Sequence, residues 1–146
     1  MNTEPKARKK WKTWQKILVG FLIVSGIGMA IVFPALFWEF HEANKSFHLF
    51  TDALIAKDYT RAYGYTAAEL RGATDYNTFV KVHENLTARM GELQSVKVNN
   101  GEIKERKDGW HGNLDADLVF TRGSLEFKFV LKKEDGSWKI CSYQEQ

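Results

Sequence analysis

Two aspartates one residue apart, four scattered histidines and a single cysteine are the side chains of this 146-residue chain on which chemistry could be built. Asp115 and Asp117 sit in a run of strict alternation, so on a strand they share one face. Paired carboxylates facing a cleft can divide acid and base roles. The alternation assigns both to the side opposite Leu118 and Phe120, which reads as a solvated face unless the register slips by one residue. His41 and His48 are seven apart on a helical pattern, two turns distant, whereas helical metal ligands pair at i and i+3 or i+4. His83 and His111 have no cysteine or histidine close by in sequence, so no metal site is expected. Cys141 stands alone: no disulfide can form within the chain, and redox work would want a second thiol. Its parity is opposite to that of Trp138 and Ile140, which suggests an inert side chain, half exposed or packed under another element. No glycine-flanked serine, phosphate loop or dinucleotide fingerprint occurs. The sequence therefore offers no catalytic set and no cofactor motif.

The elements that would carry these residues read as helices first and strands after. Phe40, Ala43, Phe47, Phe50 and Leu54 recur at steps of three and four, which predicts a helix over residues 40–57 with one apolar stripe. Lys57-Asp58 breaks it, and a second helix starts near Tyr59 or Thr60 and weakens at Gly64. Ala67, Ala68 and Leu70 predict a short helical turn ending at Gly72. Thr74 or Asp75 can cap the next helix, whose expected apolar face is Phe79, Val82, Leu86 and Met90, with Gly91 as the stop. After Gly91 the period changes to two. Val96 and Val98 alternate with polar neighbours, Asn99-Asn100-Gly101 is a hairpin-turn signal, and Ile103 to Arg106 would be the return strand. Asp108-Gly109, Arg122-Gly123-Ser124 and Glu134-Asp135-Gly136 punctuate the later runs. The fold class expected is α+β, about three helices packed on a curved antiparallel sheet of four or more strands.

Ahead of this domain, Ile17 to Trp38 runs without a charged side chain. A helix of that length is about 33 Å long at ~1.5 Å per residue, enough to cross a hydrocarbon core of ~30 Å. Trp11 and Trp14 precede the run and Trp38 closes it, the spacing of membrane-interface anchors. Residues 1–16 carry six basic side chains against Glu4, a net of +5. The whole chain is +3, so the remainder carries −2, and the folded domain has no basic excess for nucleic acid. The expected organisation is a cytoplasmic tail (1–16), a single-pass transmembrane helix (17–38) and an extracytoplasmic domain (39–146), in the periplasm or at the cell surface. The rival reading is a cleaved signal peptide with a small-residue site at Gly28-Met29-Ala30. Both send the domain outside.

Leu54, Lys57-Asp58-Tyr59, Ala62-Tyr63, the run Thr66 to Arg71, Thr74, Phe79, Gly91-Glu92-Leu93 and the ending Lys133 to Ile140 carry a resemblance. In order and spacing they resemble the nuclear transport factor 2-like, or cystatin-like, cone fold, as found in uncharacterised membrane-anchored bacterial members. In part the outline is similar to cytochrome-oxidase-assembly-like proteins, although no motif ties this chain to that role. The resemblance implies a pocket between helices and concave sheet, with Tyr59, Tyr63, Tyr65, Phe79, Trp110 and Trp138 as candidate lining; the same aromatics are ordinary core material. The function expected first is a non-catalytic accessory or binding module. It would sit beside a lipid bilayer and support a membrane or cell-envelope protein partner, with self-association through the sheet face as a further reading. The alternative is a small-molecule binder or enzyme using the cone pocket.

Overall fold

The computed structural model describes the backbone of residues 13–146 and the side chains of residues 33–146. Four helices come first, α1 (Thr13–Ile55), α2 (Tyr59–Gly64), α3 (Ala68–Ala73) and α4 (Tyr76–Met90). Four strands follow, β1 (Leu93–Arg106), β2 (Gly109–Phe120), β3 (Gly123–Glu134) and β4 (Ser137–Glu145). The chain divides between Phe37 and Trp38 into two compact units. Residues 1–12, with Trp11, lie outside the described residues, as does the side chain of Trp14. Most of the apolar run Ile17 to Trp38 has undescribed side chains as well. Among the described residues no helix is long and apolar enough to cross a membrane. Phe33, Phe37 and Trp38, at the described end of that run, are exposed.

Within the second unit the last turns of α1 bury Ala43, Phe47, Phe50 and Leu54 of the stripe that the sequence spacing indicates, with Ala53 beside them, while Phe40 at its start is 39% exposed. Phe47 meets Phe129 edge to face at 4.8 Å, which ties α1 to the middle of the sheet. The helix ends at Ile55, and Lys57, two residues on, has a φ of 57°, outside the right-handed helical region. Asp58 then caps α2, its carboxylate accepting from Arg61 N at 3.0 Å, and Asp75 caps α4 by accepting from Thr78 N at 2.8 Å. At the far end of α4, Gly91 has φ 84°, and a Cβ there would lie 1.9 Å from Thr121 Oγ1, so only glycine fits.

The sheet is a four-stranded antiparallel meander in the order β1-β2-β3-β4. Leu114, Ala116, Leu118 and Phe120 of β2 and Phe127, Phe129 and Leu131 of β3 face the helices with Trp138 and Ile140 of β4. Burying these side chains supplies most of the driving force for the fold, roughly 1.5–3 kcal/mol for each large one. The segment between α2 and α3 covers the β4 edge: Ala67 N donates to Ile140 O, and Ile140 N donates to Tyr65 O at 2.9 Å. Those bonds satisfy backbone groups that an open edge would offer to another chain.

Two expectations are corrected. Asn99-Asn100-Gly101 is no turn: β1 runs through it, with a register shift between Val98 and Asn100 against β2. Gly101 is not among the positive-φ glycines, so the hairpin conformation that Asn-Gly favours is not adopted. The glycine serves close packing instead, because the Phe40 ring of α1 lies 3.0 Å from where its Cβ would be. On α4, Val82 is 46% exposed, and His83 takes the inward place between Phe79 and Leu86.

Candidate functional site

The inward stripe of α4 does not close down on the sheet along its whole length. Between Phe50 and Leu54 of α1, Val82 to Arg89 of α4 and the inner face of β2, β3 and β4 lies a pocket of about 420 Å³. That falls within the range of small-molecule sites. Its floor is Phe50, Leu118, Phe127 and Phe129; Leu54 and Leu86 form a side wall, and Asn85, Arg89, Gln144 and Glu145 stand with Val82 among the lining.

One polar pair sits inside. His83 Nε2 and Tyr143 Oη are 2.8 Å apart. Tyr143 stacks on Phe129 at 5.8 Å and on His83 at 5.6 Å, and His83 meets Phe79 edge-on at 4.5 Å. Burial lowers the His83 pKa to about 4 and pushes the Tyr143 phenol up from its ordinary value. Desolvation disfavours imidazolium and phenolate alike, so both groups are neutral at physiological pH. A second pair spans the same two elements: Arg89 Nη2 donates to Glu145 Oε2 at 2.9 Å, with both side chains about half exposed. The pocket can therefore grip an apolar body and offer hydrogen bonds. Among the described lining residues the one carboxylate, Glu145, is engaged by Arg89, and the His83 imidazole is too weak a base to work near neutrality.

The six aromatics proposed from sequence go elsewhere. Tyr59 stacks on His83 at 6.1 Å and lines a much smaller neighbouring cavity. Tyr63 donates from its hydroxyl to Thr74 O at 2.9 Å and packs on Phe79, which is fully buried. Tyr65 lies under Lys139 Nζ, 5.7 Å from its ring centroid, beside the β4 edge. Trp110 packs at the margin of the core, and Trp138 is buried with its indole N–H donated to Glu39 Oε2 at 3.0 Å. None of the six lines the larger pocket. Asp115 and Asp117 lie on the outer face, opposite Lys128 and between Lys97 and Glu126 respectively. Cys141 is buried, and burial pushes its thiol up to about 11, which disfavours the thiolate at neutral pH.

The pair inside the pocket is not evident from sequence for a definable reason. Phe129 pairs with Tyr143 and Leu131 with Ile140, so Cys141 is an extra residue in β4. That bulge reverses the side-chain parity and turns Tyr143 inward, where simple alternation from Trp138 would point it out. His83 does carry a signal: it follows Phe79 by four residues and precedes Leu86 by three, on the helical stripe.

No family model matches the chain, and no curated protein matches it. Solved structures do resemble it. Aln2 from a Streptomyces species aligns with a TM-score of 0.54 at 11% identity, over 73% of this chain and 88% of that one. A protein of unknown function with a cystatin-like fold from Nostoc punctiforme aligns with a TM-score of 0.55 at 13% identity, over 71% and 86%. A de novo designed protein with a curved β-sheet aligns with a TM-score of 0.50 at 15% identity, over 72% and 99%. Identities this low speak for the fold alone. The domain has the cystatin-like cone architecture expected from its sequence.

Proposed function

We propose that residues 39–146 form a non-catalytic binding module for a small, mostly apolar molecule, tethered beside a membrane by the run Ile17 to Trp38. The observation that carries this reading is the pocket of about 420 Å³ between α1, α4 and the sheet, lined by Phe50, Leu118, Phe127 and Phe129 around one neutral polar pair. The outer face of the sheet gives a protein partner less to bind. There Lys97 lies opposite Asp117 and Lys128 opposite Asp115 in the strand register, so it carries a ladder of mixed charge in place of a broad apolar patch. The tether draws support from the exposure of Phe33 and Phe37 and from the basic residues 6–16 that precede the run.

Titration of the purified full chain with the neutral fluorophore N-phenyl-1-naphthylamine tests the pocket. Saturable one-site binding is expected, and Leu86→Trp, which fills the cavity, abolishes it while the thermal unfolding transition persists. Identical titrations for the two proteins would overturn the reading. The tether is tested separately by reporters fused to either terminus in intact cells, with the C-terminal reporter expected outside the membrane.

A further inference from the structure

Resting on the ligand-pocket reading above, the two polar bridges between α4 and β4 define the chemistry of what the pocket takes. A neutral imidazole brings one N–H and a phenol brings one O–H. The contact of 2.8 Å between His83 Nε2 and Tyr143 Oη uses one of these protons. The other is left over in either tautomer: on the Tyr143 hydroxyl when Nε2–H donates, on Nδ1 when the phenol donates. Among the described residues the pair makes no further side-chain hydrogen bond. Because His83 stays neutral down to about pH 4 and the phenol of Tyr143 resists ionisation, this inventory is constant through the neutral range. An acceptor lone pair also stays free, on Nδ1 or on Oη, but an unfilled lone pair costs less than a stranded donor, so the pair favours a ligand that brings an acceptor.

The rim adds a second criterion. Arg89 and Glu145 are the charged side chains among the lining residues, and they neutralise each other at 2.9 Å. An arriving carboxylate meets the like charge of Glu145 and must displace it from Arg89; a neutral ligand leaves the pair intact. We propose that the pocket selects a neutral, mostly apolar molecule bearing one hydrogen-bond acceptor, a carbonyl or ether oxygen read by His83 and Tyr143, and that Glu145 turns away carboxylates of the same frame.

Three probes on one frame test this: acetylnaphthalene, naphthoate and ethylnaphthalene, titrated calorimetrically into the purified full chain at neutral pH. The ketone is expected to bind about tenfold tighter than naphthoate. The double variant His83→Leu/Tyr143→Phe weakens the ketone about fivefold and leaves the hydrocarbon within about twofold. Glu145→Gln narrows the gap between ketone and carboxylate about fivefold by freeing Arg89. Naphthoate binding as tightly as the ketone, or a double variant in which ketone and hydrocarbon change together, overturns the selectivity and leaves the pocket standing as a binding site. Failure of all three probes to bind overturns both.

Discussion

Two of the polar bridges that join helix to sheet in this domain are built differently. Near the start of the domain Glu39 of α1 accepts from Trp138 Nε1 of β4 and from Lys133 Nζ of β3. Its side chain is 13% exposed, and the carboxylate sits against a filled core. The opposite bridge, His83 to Tyr143, is uncharged and borders an open cavity. A carboxylate withdrawn from water needs its partners in place, so the first bridge fixes geometry. A neutral pair costs far less to leave partly solvated, so the second tolerates space beside it. One bridge thus holds its end of the domain in shape, and the other borders an open cavity.

Phe129 lies between the two ends and touches Phe47, Phe50 and Tyr143. Phe129→Ala should destabilise the domain by about 3–5 kcal/mol, measured by denaturant unfolding, because its cavity adjoins a pocket that cannot collapse to fill it. A milder loss would mean that core and pocket are not continuous.

The next effect is one of pH. An unfolded His83 takes up a proton near its ordinary pKa of 6.5, whereas the folded one resists until about 4. Stability is therefore full above the upper value and falls as the pH drops through this window, by about 3 kcal/mol in all. His83→Leu should flatten that part of the curve, and a profile unchanged by the substitution would remove burial of the imidazole as its cause.

Glu39→Ala strands Lys133 Nζ and Trp138 Nε1 and should cost about 2 kcal/mol in the same unfolding assay. His83→Leu at neutral pH should cost less than about 1 kcal/mol, since Tyr143 keeps access to the cavity. Reversal of these two magnitudes would undo the distinction between the bridges.

The sequence foretold the cone where local chemistry and tertiary packing agree. Asp58 and Asp75 cap the helices that they precede, and the period-two runs through Leu118 and Phe129 bury the side chains that alternation assigns. It misled where packing overrides a local preference. Asn100-Gly101 has turn chemistry, but β2 is long enough to pair β1 throughout, and Phe40 needs the missing Cβ of Gly101. For the site, a cavity between helices and sheet followed from the cone resemblance, whereas its polar pair did not. Aromatic residues were the visible signal, but Tyr63 and Trp138 spend their polar atoms on backbone and carboxylate partners. A histidine on an otherwise apolar helical stripe was the subtler mark.

Cys141 is the one residue of its strand that the ladder does not need. Without it Ile140 would join Ser142 directly, and Trp138, Ile140 and Tyr143 would fall on a plain every-other-residue rhythm with the phenol still facing the helices. Drawn into regular pairing instead, the same cysteine would push Ser142 inward and swing the phenol out to water. A relative one residue shorter here would keep the phenol facing the helices and display that placement openly in its sequence.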